Sequence, residues 1–132
     1  MQQYDAVILA GGRALWLKEI CGTEHRCLAP LKERRMVDYI IDALLQSSCI
    51  RRIVIATNAK AAAQLEGTLP PQVTTCLSES DMPATAYAAI KALGEECTES
   101  VLFACDDIPL LTGEAVQSFM QQCEKTPGKG IY

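Results

Sequence analysis

The chain has 132 residues, 49% of them hydrophobic and 21% charged, which suits one domain of residues 1–132 with its own core and excludes a disordered polymer. A net charge of −4 disfavours a nucleic-acid polymer as partner, and no apolar run reaches the roughly 18 residues of a bilayer span. Seven cysteines, an odd number with no C-x-x-C pair, argue against a disulfide framework or a zinc site and for reduced thiols in a cytoplasm.

Tyr4 to Ala10 reads as a first strand, apolar nearly throughout and so expected to be covered on both faces. It runs directly into Gly11-Gly12. Residues 11 to 34 read as a long irregular connection, a length that marks function or mobility. Met36 to Ser47 is a helix, because Val37, Ile40, Ile41, Leu44 and Leu45 recur on one helical face. Arg52 to Ala56 is a second strand, and a short helix from about Lys60 to Glu66 follows, broken by Gly67 to Pro71. Val73 to Leu77 is a third strand. Pro83 suits the first turn of the next helix, with Ala86, Ala89, Ile90 and Leu93 as its apolar stripe. Ser100 to Cys105 is a fourth strand. Thr112 is the N-cap of a helix that buries Val116, Phe119, Met120 and Cys123. A turn at Gly128-Lys129-Gly130 leads to a strand beginning at Ile131-Tyr132.

Alternating strands and helices imply a parallel α/β sheet with right-handed crossovers. If three strands wind outward and the fourth returns beside the first, the order is 3-2-1-4. Ligands bind such sheets at the switch point, here between strands one and four. Gly11-Gly12 and Asp106-Asp107, about 95 residues apart, then become neighbours.

Glycine has no Cβ, so Gly11 and Gly12 can bring backbone N–H groups close to a phosphate; a plain turn is the competing reading. Neither G-x-G-x-x-G nor the P-loop pattern is present, which disfavours a nicotinamide site and a P-loop site. Asp107, before Ile108-Pro109, suits Mg²⁺, which takes one or two carboxylates plus substrate phosphates. Asp106 either supports its neighbour or faces solvent. From Arg13 to Arg35 six basic residues stand against three acidic ones, a segment that could hold a polyphosphate or simply be solvated. His25, the single histidine, reads as a surface loop residue. Trp16 reads as a cover for the core, with stacking on a base as the alternative.

Leu9-Ala10-Gly11-Gly12, Arg26-Cys27-Leu28-Ala29-Pro30-Leu31, Met36-Val37-Asp38-Tyr39-Ile40-Ile41 and Asp107-Ile108-Pro109-Leu110-Leu111-Thr112, in that order, resemble the MobA-like NTP transferases. That group of nucleotidyltransferases includes molybdenum-cofactor guanylyltransferases and sugar-phosphate nucleotidylyltransferases. The resemblance implies a three-layer α/β/α Rossmann-like sheet of the glycosyltransferase-A kind. It implies transfer of a nucleoside monophosphate from an NTP to a phosphorylated acceptor (a sugar phosphate, an alcohol phosphate or molybdopterin), with pyrophosphate released. Leu9, Ala10, Gly11 and Gly12 would contact the nucleotide, and Asp107 would bind Mg²⁺. Arg26 falls where the family carries a phosphate-binding lysine, and Thr85 falls near a polar position that reads base or ribose.

This chain departs from the family's Gly-Gly-x-Gly-x-Arg-Met, reading Gly11-Gly12-Arg13-Ala14-Leu15-Trp16-Leu17, so that Arg13 is the arginine left to serve the loop. His25-Arg26 replaces Pro-Lys, and Arg35 replaces a proline. A non-catalytic relative that binds a nucleotide or a partner chain is the alternative these departures raise. Relatives run longer, so an N-terminal fragment with an incomplete sheet, prone to homo-oligomerise, is expected.

Overall fold

The computed structural model describes residues 2–126 and 128. Strand β1 (Tyr4–Leu9) begins the fold, followed by the short helix α1 (Leu15–Cys21), a 3₁₀ turn (Arg26–Leu28) and a small hairpin of β2 (Pro30–Leu31) and β3 (Arg34–Arg35). Then come α2 (Met36–Gln46), β4 (Ile50–Thr57), α3 (Ala59–Leu65), β5 (Val73–Leu77), α4 (Met82–Leu93), β6 (Val101–Cys105) and α5 (Gly113–Glu124). The main sheet runs β5-β4-β1-β6 with every neighbouring pair parallel, the order 3-2-1-4 expected from the alternation. The strand expected at Ile131-Tyr132 lies outside the described residues, as does the turn before it except for Gly128.

The sheet is buried between two unequal layers. On one face Ala6 and Ile8 of β1 and Ile53 and Ile55 of β4 pack against Val37, Ile40, Ile41 and Leu44 of α2, with Leu65 of α3 and Val116 and Met120 of α5. On the other, Val7, Val54 and Ala56 meet Ala89 and Leu93 of α4. The alternation of Ala6 and Ile8 with Val7 across these two cores explains the unbroken apolar run from Ala6 to Leu9.

Each of the three later helices starts at a side-chain cap. Asn58 Oδ1 accepts from the Ala61 N–H (2.9 Å), Asp81 Oδ1 from Ala84 (2.8 Å) and Thr112 Oγ1 from Ala115 (3.1 Å). The stripe of α4 differs from expectation. Thr85, Ala89 and Leu93 are buried, whereas Ile90 is 41% exposed, because the helix turns its i, i+4 line of smaller residues to the sheet. On α5, Phe119 and Cys123 are half-buried and Val116 and Met120 fully so.

The segment from 11 to 34 is more ordered than its sequence suggests. The Ala14 N–H donates to the Glu24 carbonyl (2.8 Å) and the Arg26 N–H to the Gly12 carbonyl (3.3 Å), closing the segment on itself around α1. None of α1's residues is buried, so no apolar period announces it. Trp16 is 65% exposed on this helix; it does not cover the core.

At the opposite end of β1, Asp5 is fully buried and ties three segments together. Its carboxylate accepts from Arg51 (2.9 and 3.3 Å), Arg52 (3.3 and 2.9 Å) and the Thr98 N–H (3.1 Å). Burial pushes this carboxyl up, but hydrogen bonds from Arg52, Arg51 and Thr98 outweigh it and hold the group below its ordinary value.

Candidate functional site

The register fixes where the two motifs meet. Leu9 stands opposite Ala56 on one side and Cys105 on the other, so Ala10 to Gly12 and Asp106-Asp107 leave the sheet side by side. Ala10 is fully buried; its N–H donates to the Ala56 carbonyl, and its carbonyl accepts from Thr57 Oγ1 (2.7 Å). The glycine turn is thereby anchored on β4 before it begins.

Both glycines are crowded. A Cβ on Gly11 would lie 3.0 Å from Ser78 Oγ, on the segment that follows β5. A Cβ on Gly12 would lie 2.0 Å from Nη2 and 2.5 Å from Cζ of Arg26. The guanidinium of Arg26 therefore rests on the glycine turn, and the missing Cβ is what admits it. The same guanidinium reaches across the switch point, with Nη2 3.5 Å from Asp106 Oδ1.

Asp106 does not face solvent: it is 1% exposed. Burial raises its pKa, Arg26 opposes that rise, and the neighbouring charge of Asp107 adds to it. Its Oδ2 has no hydrogen-bond partner. Asp107, one residue on, is exposed on the rim. Neighbouring carboxylates at the end of one strand thus present one buried and one open group, all with oxygen donors.

The basic segment is largely neutralised by local acids. Arg13 donates to Glu24 (2.8 Å), Arg35 pairs with Asp38 (2.8 Å), and Arg34 pairs with Asp42 while lying 5.6 Å from the Tyr39 ring centroid. These pairs order the loop and the start of α2. Arg26 is the arginine of this segment that the structure brings to the switch point; Arg13 is brought to Glu24 instead. Thr85 lies at the N-terminal turn of α4, where its hydroxyl accepts from the Glu79 N–H (2.8 Å) and donates to the Asp81 carbonyl (2.9 Å). Its hydroxyl orders the segment that carries Ser78 onto Gly11.

His25 is buried rather than exposed, at 4%. Its Nδ1 lies 3.0 Å from Asn58 Nδ2. Because Asn58 Oδ1 already accepts from Ala61, the amide nitrogen is the donor and Nδ1 the acceptor. Cys27 beside it is fully buried, and burial pushes its thiol up to about 11, so it is an inert packing group. All seven cysteines are free thiols. Two site residues escaped the sequence reading, Ser78 and the buried state of Asp106. The second had a signal, since Leu102, Ala104 and Asp106 share the parity of the strand face that enters the larger core.

A parallel sheet of order 3-2-1-4 that carries a glycine turn, an arginine and paired acids at its switch point defines the class, a Rossmann-like α/β protein. The MobA-like NTP transferase domain matches residues 6–132, and the chain belongs to that family. The chain is similar to the bifunctional protein GlmU of Exiguobacterium sibiricum, 32% identical over 127 aligned positions that cover 94% of this chain and 27% of GlmU. It spans little more than a quarter of that relative. Its fold is similar to that of a hypothetical transferase from Thermus thermophilus (TM-score 0.73, 25% identity, 96% of this chain and 48% of the other). It is also similar in fold to a Mycobacterium tuberculosis protein solved in complex with manganese (TM-score 0.68, 15% identity, 91% of this chain and 59% of the other).

Proposed function

We propose that the chain binds an NTP with a divalent cation at the ends of β1 and β6 and serves nucleotidyl transfer to a phosphorylated small-molecule acceptor. The observation that carries this reading is the guanidinium of Arg26 lying on Gly12 between the glycine turn and Asp106-Asp107. A cation and backbone N–H groups on one strand end, opposed by oxygen donors on the next, suit a metal-bound polyphosphate.

The donor set fits Mg²⁺. The group takes oxygen ligands, Asp107 is open on the rim, and the unpartnered buried oxygen of Asp106 keeps the local field negative. A cation held there would neutralise charge developing on the transferred phosphoryl group. Manganese in the mycobacterial fold relative is consistent with a divalent site. Asp107 is the residue we assign to the metal, Arg26 the phosphate-binding cation, and Leu9 to Gly12 the nucleotide-facing backbone. Arg13 and Thr85 support this surface from the loop and from α4.

In the step itself, an oxygen of the acceptor's phosphate attacks the α-phosphorus in line, forming a new P–O bond. The bond from the α-phosphorus to the bridging oxygen breaks, and its electron pair leaves with pyrophosphate. No side-chain nucleophile is consumed, which suits a site whose cysteine and histidine, Cys27 and His25, are packed away. Positioning and charge do the chemistry. The acceptor class is a sugar phosphate, an alcohol phosphate or molybdopterin, and the free thiols suit a reducing cytoplasm. Among the described residues no helix is long and apolar enough to cross a membrane.

A second reading, binding without turnover, is favoured by the glycine turn itself, which reads Gly12-Arg13-Ala14 where the family has another glycine. Thermal shift with the four common NTPs and Mg²⁺, joined to pyrophosphate release across a panel of sugar phosphates, separates the two. Stabilisation with release supports transfer, stabilisation alone supports the binding reading, and neither removes both.

A further inference from the structure

Asp106 is assigned neither the metal nor a phosphate in the reading above, yet it sits at the centre of the switch point. It is 1% exposed, forms a long ion pair with Arg26 at 3.5 Å, and leaves Oδ2 without a partner. As a purely structural device this is poor. A buried carboxylate with one distant cation and a spare oxygen carries a desolvation cost that so long a pairing offsets poorly, and its loss would strand no buried charge, because Arg26 is itself open to solvent. The contact makes sense as a constraint on Arg26. That side chain is 45% exposed and would otherwise spread over many rotamers. Tied to Asp106, its guanidinium lies on Gly12, where a Cβ would come within 2.0 Å of it.

We propose that Asp106 is a positioning residue, whose carboxylate holds the Arg26 guanidinium over the glycine turn so that it meets the nucleotide's phosphates already oriented. This rests on the nucleotide-binding reading above. It makes stability and binding respond in opposite senses, because Asp106→Asn keeps the shape of the side chain, removes a buried charge and frees Arg26. Direct electrostatics run the other way, since deleting an acid beside phosphates would tighten binding if Arg26 were not involved.

The test is a double-mutant cycle on the chain with Mg²⁺ and each of four NTPs, read by calorimetry and by melting temperature. Asp106→Asn is expected to melt no lower than the parent yet bind nucleotide about tenfold more weakly. In an Arg26→Ala background the same substitution is expected to weaken binding no further. The proposal is overturned if Asp106→Asn binds as well as the parent, or loses the same factor without Arg26, or fails to fold, since the last would make Asp106 a structural residue. A parent that binds no NTP would instead sink the nucleotide reading itself, and this inference with it.

Discussion

Leu9 of β1 pairs with Cys105 of β6 in parallel register, and that one pairing sets Gly12 and Asp107 on the same rim. The acid can therefore be tested apart from the fold. Asp107 is exposed, so Asp107→Asn should leave the melting temperature of the chain alone unchanged within about 0.5 kcal/mol of stability. With Mg²⁺ and NTP at about a hundredfold above Kd, the parent should gain about 10 °C. The variant should lose most of that gain. A variant stabilised as strongly as the parent would remove Asp107 from the metal site.

Gly12 separates two uses of a glycine. If the residue mattered only for backbone freedom, Gly12→Ala would destabilise the fold. Its φ is not in the left-handed region, and the added methyl would meet the movable end of Arg26 rather than a backbone atom. Gly12→Ala is therefore expected to cost under about 1 kcal/mol in denaturant unfolding. Nucleotide affinity should fall roughly tenfold, because the guanidinium is pushed off the turn. A loss of several kcal/mol with affinity intact would show that the guanidinium's seat has no bearing on binding.

Asp5 supplies a pH dependence of known sign. Its folded pKa lies below the ordinary 3.8, because hydrogen bonds from Arg52, Arg51 and Thr98 outweigh the effect of burial. The stabilisation is thus fully present above the unfolded value and is lost as pH falls from about 5 through the folded value. Asp5→Asn should cost about 3 kcal/mol at neutral pH, as expected when one partner of a buried ionic cluster is removed. Unfolding curves of parent and variant should converge as pH drops below 3.8. A gap that stays constant with pH would show that the charge on Asp5 contributes nothing.

What was legible in the sequence follows from what repeats. β1, α2 and β4 face a shared core, so their apolar periods are strong, and strand order followed from the alternation. Residues 11 to 34 carry no such signal. Leu15, Trp16 and Ile20 are apolar but exposed, so their spacing reflects no core. The basic segment reads from sequence either as a polyphosphate holder or as a solvated loop, because Glu24, Asp38 and Asp42, which pair with Arg13, Arg35 and Arg34, come close only on folding. His25 was misread for the same reason, its burial being set by Asn58, 33 residues away. Asp106 stood nearest to detection: strand parity placed it inward with Ala104, but an acid at a strand end is normally a solvated one.

Trp16 offers a direct optical view of the glycine turn. It is the single tryptophan, 65% exposed on α1, and the Ala14 to Glu24 and Gly12 to Arg26 hydrogen bonds lock α1's segment to that turn. An exposed indole predicts red-shifted emission and ready quenching by iodide in the chain alone. Nucleotide seated on Gly11-Gly12 should shield or stack on this ring, so Mg²⁺ with NTP is expected to change the emission and reduce iodide access. The change should saturate with the same Kd that calorimetry reports and should disappear with Asp107→Asn. An emission spectrum that stays fixed while calorimetry shows binding would place the nucleotide away from α1, leaving the glycine turn but not its neighbouring helix in the site.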